Sequence, residues 1–131
     1  MTISVIIDDK LATSGIEYNY DYLLKGNYQS TEKTEDSWKV VDVRRLRDSD
    51  SNSLEDYQKY IDLSYETIKE HGRVVICCSY GISRSNAIAL GVLVKHYDLT
   101  FTDAQKLIKQ KVEKSDIVQA HIDKLQKLLI K

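Results

Sequence analysis

The sequence predicts an α/β domain, a small sheet covered by helices, and three observations predict it. Residues 73–77 (Arg-Val-Val-Ile-Cys) are short, β-branched and apolar after the first position, as a central strand covered on both faces requires. Residues 86–94 are apolar on nearly every side, the mark of a buried helix. Strand-like and helix-like segments alternate along the chain. The loop richest in reactive side chains leaves the C-terminal end of the apolar strand, where open α/β sheets hold their ligands.

Taken in order, residues 3–7 (Ile-Ser-Val-Ile-Ile) read as a strand, and residues 10–13 pair with it after the Asp8-Asp9 turn. Ser14 stands three positions before Glu17, a capping-box spacing, and Ile16, Tyr20, Leu23 and Leu24 follow at helical spacing before Gly26-Asn27. Residues 29–37 are polar and aperiodic, hence a loop. Residues 38–43 (Trp-Lys-Val-Val-Asp-Val) read as a buried strand, and residues 44–52 as a charged loop. Ser53 caps a long helix whose inward stripe is Leu54, Tyr57, Ile61, Tyr65 and Ile68, and Gly72 ends it. After the apolar strand and buried helix, Thr102 and Gln105 form a capping pair for a helix carrying Ala104, Leu107, Ile108 and Val112. Ser115 then caps a last helix with Val118, Ile122, Leu125 and Leu129. No internal repeat or interdomain linker interrupts the chain, so residues 1–131 are expected to form one domain.

Composition excludes several classes. With 19 basic and 20 acidic residues, the chain lacks the basic excess that nucleic-acid binding needs. No apolar run approaches the ~20 residues needed to span a bilayer, and no secretory leader pattern is present, so a cytoplasmic protein with no membrane partner is expected. The two cysteines, Cys77 and Cys78, are adjacent. Neighbours on a strand point to opposite faces, which suits lone thiols better than a disulfide. His71, His96 and His121 stand alone in sequence, with no carboxylate or cysteine at ligand spacing, so no metal site and no cofactor are expected.

The segment Cys78-Ser79-Tyr80-Gly81-Ile82-Ser83-Arg84-Ser85 links the apolar strand to the buried helix. Such a turn wraps backbone N–H groups around one point, and the next helix aims its N-terminus there, which favours an anion. Gly81 can take the positive φ that a tight cradle often needs. A cysteine opening this cradle feels the same positive field and is expected as a thiolate. Arg84 offers a planar fork for two oxyanions of a phosphate, and Ser85 a hydroxyl for the sulfur.

The pattern Cys-x-x-Gly-x-Ser-Arg-Ser over residues 78–85 resembles the signature of the dual-specificity phosphatases, within the cysteine-based protein tyrosine phosphatase superfamily. The resemblance covers most of the chain. It implies a protein tyrosine phosphatase-like fold, with about four strands and about five helices. It also implies hydrolysis of phosphotyrosine and phosphoserine or phosphothreonine in protein substrates. Cys78 would be the nucleophile, Arg84 the phosphate clamp, and Ser79, Tyr80, Gly81, Ile82 and Ser83 the rest of the substrate-binding loop. The family's acid lies roughly thirty residues before the cysteine, on a loop between a strand and a long helix. Asp48, 30 positions before Cys78, is the first choice, Asp50 the second, and Asp42, inside the apolar strand, the third.

The chain departs from the family where Cys77 replaces the histidine before the nucleophile. Cys77 reads first as a small buried hydrophobe and second as a redox partner of Cys78. The short chain implies a shallow cleft open to all three phosphorylated residues; a monomer is expected. The loop has no lysine, against a phosphoinositide substrate. Tyr80 fits either the pocket rim or packing. Arg44, Arg45 and Arg47 fit a solvated face better than a substrate-attracting patch, and Tyr18, Tyr20 and Tyr22 fit packing better than peptide binding. Two rivals remain: a phosphate-reading module without turnover, and a rhodanese-like or arsenate-reducing thiol enzyme.

Overall fold

Short β-branched runs separated by turn residues build the sheet. The computed structural model describes residues 3–15 and 38–130. Strand β1 (Ser4–Ile7) turns back at Asp9, which takes a φ of 64°, a left-handed geometry that aspartate tolerates, and pairs antiparallel with β2 (Leu11–Gly15). Strand β3 (Lys39–Asp42) leads to helix α1 (Leu54–His71), and β4 (Val74–Cys78) to helix α2 (Arg84–His96). Helices α3 (Phe101–Lys111) and α4 (Gln119–Leu129) complete the described chain. The sheet order is β1-β2-β4-β3, with β2 and β3 both parallel to β4.

All five residues of β4 are buried, which explains its unbroken apolar run. Its side chains alternate between faces. Val74, Ile76 and Cys78 join the large core with α1, α2, α3 and α4, whereas Val75 and Cys77 join a smaller cluster with Ala12 and Trp38. The two cysteines therefore point to opposite sides of the sheet.

Local capping logic works well for α1. Ser53 Oγ accepts from Asp56 N at 3.1 Å, Asp56 Oδ2 accepts from Ser53 N at 3.0 Å, and Gly72 closes the helix with a φ of 88°. Its buried face is Tyr57, Tyr60, Ile61, Ser64 and Ile68, so Tyr60 and Ser64 displace Leu54 and Tyr65 from the expected stripe. Tyr65 instead stacks on His96, with ring centroids 4.0 Å apart.

Three expectations are corrected. Ser14 lies inside β2, paired with Cys77, and the strand runs on through Gly15. The cap of α3 is Thr100, whose Oγ1 accepts from Asp103 N at 3.0 Å, so Thr102 is already helical. The last helix starts at Gln119, not after Ser115. Ser115 is buried in the connection, where its carbonyl accepts from Lys109 Nζ at 2.7 Å. That connection is bound to the loop after β4: Asp116 N donates to Ile82 O and Val118 N to Ser83 Oγ, each at 3.0 Å. Those contacts delay the helix.

Four helices are described against about five expected. The helix expected over residues 16–24, the polar loop over residues 29–37, and Tyr18, Tyr20 and Tyr22 lie outside the described residues. Among the described residues, no helix is long and apolar enough to cross a membrane.

Candidate active site

Cys78 ends the central strand, and the chain curls back over it. Gly81 N donates to Cys78 Sγ at 3.3 Å, and the Ser85 hydroxyl lies 3.3 Å from the same sulfur. The curl is tight enough to require glycine. Gly81 has a φ of 72°, and a Cβ there would lie 2.7 Å from Gly15 N. Gly15 is equally constrained, since its own Cβ would lie 2.5 Å from the Tyr80 carbonyl carbon. The end of β2 thus forms the floor against which the cradle closes.

A buried amide holds the cradle from behind. Asn86 Nδ2 donates to Gly81 O at 3.0 Å and Ile82 O at 3.1 Å, while Asn86 Oδ1 accepts from Thr13 Oγ1 at 2.8 Å. With these carbonyls turned toward Asn86, the loop can present its N–H groups to the sulfur side. Sequence reasoning missed Asn86 and Thr13. The only local signal was a polar residue in the first turn of an otherwise apolar helix.

Burial alone would raise the Cys78 thiol. Hydrogen bonds from the Ser85 hydroxyl, the Ser85 amide and the Gly81 amide, together with the Arg84 charge, outweigh it and hold the thiol below its ordinary value. Cys77 shows the contrast. Burial, then the Asp42 and Cys78 charges, push its thiol up, and Arg44 offsets this only in part. Its sulfur approaches Val75 O at 3.9 Å and is fully buried on the far face of the sheet. That placement fits a packed hydrophobe and separates it from Cys78.

Arg84 joins the cradle to the loop after β3. Its Nη1 donates to Arg44 O at 2.9 Å and to Leu46 O at 3.1 Å, and its Nε lies 3.7 Å from Asp48 Oδ2. Nη2 and Nε take no part in the two carbonyl bonds. Asp48 is therefore at the cradle's mouth. The other two carboxylates are placed differently: Asp42 is bound bidentately by Arg44, and Asp50 is exposed and outside the cavity lining. Arg45 and Arg47 are exposed.

Cys78, Arg84 and Asp48 line one cavity of about 250 Å³, together with Tyr80, Ile82, Ser83, Asp116 and Val118. Tyr80 and Ile82 stand on its rim, 55% and 38% exposed. Ser85 is buried beneath the sulfur, and the Ser83 hydroxyl accepts from Val118 N. Ser79 belongs to the loop but not to the cavity lining. Asp116, a second carboxylate at the pocket, was not foreseen, because the Ile82–Asp116 backbone bond that brings it there joins distant segments.

Behind Asp48 lies a buried polar chain. His121 is fully buried, with Nε2 2.8 Å from Asp48 Oδ1 and Nδ1 2.6 Å from the Tyr57 hydroxyl. Asn52 Nδ2 donates to that hydroxyl at 3.2 Å. A histidine that is isolated in sequence is thus a direct partner of the candidate acid.

No family model matches the chain. It is 38% identical over 61 residues to the protein named "Probable rhodanese domain-containing dual specificity protein phosphatase" of Dictyostelium discoideum; this covers 47% of the chain and 13% of that relative's length. The structure superposes on human DUSP28 with a TM-score of 0.76 and 14% identity, covering 97% of this chain and 92% of that one. It superposes on a leucine rich repeat and phosphatase domain containing protein from Entamoeba histolytica with a TM-score of 0.74 and 17% identity, covering 97% and 90%. The order of strands and helices, with the loop at the end of the central strand, is therefore the protein tyrosine phosphatase-like fold of the dual-specificity phosphatases.

Proposed function

We propose that the protein hydrolyses phosphate monoesters on phosphorylated proteins through a phosphocysteine intermediate. The observation that carries this reading is the convergence of a lowered Cys78 thiol, Arg84 and Asp48 on one small cavity. The Cys78 thiolate attacks phosphorus, and the bond from phosphorus to the substrate oxygen breaks. Asp48 gives its proton to that leaving oxygen. The Asp48 carboxylate then takes a proton from water as the water attacks the phosphocysteine. The sulfur–phosphorus bond breaks, the thiolate is restored with help from the Ser85 hydroxyl, and inorganic phosphate leaves. Nonbridging oxygens are held by the Arg84 guanidinium and by main-chain N–H groups of Ser79, Tyr80, Gly81, Ile82 and Ser83.

The rim supports a broad substrate range. Exposed Tyr80 and Ile82 leave the cradle accessible to the short stems of phosphoserine and phosphothreonine as well as to phosphotyrosine. The loop's lack of lysine favours phosphoproteins over highly charged phosphoinositides. A monomer acting in the cytoplasm, without metal or cofactor, completes the reading.

The test is turnover of para-nitrophenyl phosphate and of peptides carrying each phosphorylated residue, with the wild type and Cys78→Ser. The expected loss in the variant is more than about a thousandfold. A Cys78→Ser enzyme as active as wild type would remove the nucleophile from this reading, and a wild type that binds phosphopeptide without turnover would make the domain a reader.

A further inference from the structure

The polar chain behind Asp48 has a direction that its donors and acceptors dictate. Arg47 N donates to Asn52 Oδ1 at 3.0 Å, which fixes the orientation of that amide and leaves Nδ2 as the donor end. One Nδ2 hydrogen goes to Arg47 O at 2.7 Å, and the other points between Tyr57 Oη at 3.2 Å and Ser49 O at 3.4 Å. Toward Asn52, therefore, the Tyr57 oxygen can only accept. Its single hydrogen is then free for His121 Nδ1, 2.6 Å away. A ring nitrogen that accepts carries no proton, so the imidazole proton sits on Nε2 and is donated to Asp48 Oδ1 at 2.8 Å.

We infer that Asn52, Tyr57 and His121 form a one-way hydrogen-bond relay that holds Asp48 as a proton donor, with Oδ1 locked as an acceptor and Oδ2 left to carry the transferable proton. The inference rests on Asp48 being the acid of the proposed reaction. Asn52 is 6% exposed, and Tyr57 and His121 are fully buried, so water does not compete for the bonds among these three; Asp48 at the end of the chain is 45% exposed. Oδ2 is the carboxylate oxygen on the Arg84 side. The neutral ring matters too. Arg84 already sets one cation 3.7 Å from Oδ2, which favours the ionised carboxylate; an imidazolium would add a second cation, whereas a neutral N–H fixes the carboxyl group without adding to that pull. The Tyr57 hydroxyl keeps its proton for this task, since burial raises it more than Asn52 lowers it, with the Asp48 and Asp56 charges adding to the rise. These three are positioning residues that act through Asp48.

The test compares phenyl phosphate, whose leaving group needs a proton, with dinitrophenyl phosphate, whose leaving group does not. Asp48→Asn should slow the first strongly and the second little. Tyr57→Phe keeps the ring and should lower kcat on phenyl phosphate by about ten- to a hundredfold, with less than about a twofold change on dinitrophenyl phosphate and in vanadate affinity. In the Asp48→Asn background, Tyr57→Phe should add nothing. If Asp48→Asn lacks the leaving-group signature, the acid assignment fails. If Asp48→Asn shows it and a folded Tyr57→Phe does not, or if the two losses simply multiply, the relay is overturned. Nitrogen NMR of the wild type tests the relay without any variant. The expected His121 signature is protonated Nε2 and bare Nδ1 at neutral pH, and a protonated Nδ1 contradicts it.

Discussion

Replacing Asn86 by alanine should damage both the fold and the cradle, and the size of each effect follows from three hydrogen bonds. The side chain is fully buried. Its loss strips Gly81 O of the Asn86 donor and Thr13 Oγ1 of its acceptor, while Ile82 O keeps the Asp116 amide at 3.0 Å. Two buried polar groups left without partners cost about 1–3 kcal/mol each, hence about 2–6 kcal/mol together. Against a usual total of about 5–15 kcal/mol, that is a large share, and a fall in Tm on the order of 10 °C should be visible by circular dichroism. The Gly81–Ile82 peptide also loses this anchor, which loosens the turn at Gly81 and so the neighbouring Tyr80–Gly81 peptide, whose N–H supports the Cys78 sulfur. A displacement of about an ångström at a reacting centre costs on the order of a hundredfold in rate. Thr13→Val provides the control. It removes the orphaned hydroxyl, so Thr13→Val and Asn86→Ala should couple, with an interaction on the order of 1 kcal/mol in a double-mutant cycle. Urea unfolding of the four proteins measures it. An Asn86→Ala protein within about 0.5 kcal/mol of wild type would refute the claim that this amide carries the cradle.

The lowered Cys78 thiol predicts that its alkylation by iodoacetamide rises with pH through a midpoint below the ordinary thiol value, because the thiolate is the reactive form. Ser85→Ala removes the largest stabilising contact on the thiolate and should move that midpoint upward; an unchanged midpoint contradicts the assignment. Gly81→Ala forces a Cβ into a left-handed position 2.7 Å from Gly15 N, so a loss of about 1–3 kcal/mol is expected in chemical unfolding, together with weaker binding of vanadate.

What could be read from the chain was what lies close together in it. The capping box at Ser53 and Asp56 needs only a three-residue spacing, and the apolar run of β4 announces its own burial. The cradle was legible for the same reason, since Cys78, Gly81, Arg84 and Ser85 are near neighbours whose geometry one turn decides. The starts of α3 and α4 were not. Thr100 prevailed over Thr102 because Phe101 packs into the core from the first helical position, and no local rule reports that. Ser115 has the chemistry of a cap, but the following backbone is already bonded to Ile82 and Ser83. Contacts across long separations stayed hidden altogether. His121 meets Asp48 across 73 residues and Tyr57 across 64, and Thr13 meets Asn86 across 73. A solitary histidine carries no mark of these partners until the chain has folded.

The division of labour within the loop after β4 has a consequence for adaptability. The loop's group on the sulfur is a main-chain amide, that of Gly81, while its exposed groups are the side chains of Tyr80 and Ile82. Exchanging those two side chains alters the rim of the cavity, while the Gly81 amide on the sulfur belongs to the main chain. On the proposed function, a loop built this way could meet different polypeptides through changes at two positions, with the Cys78 cradle itself unchanged.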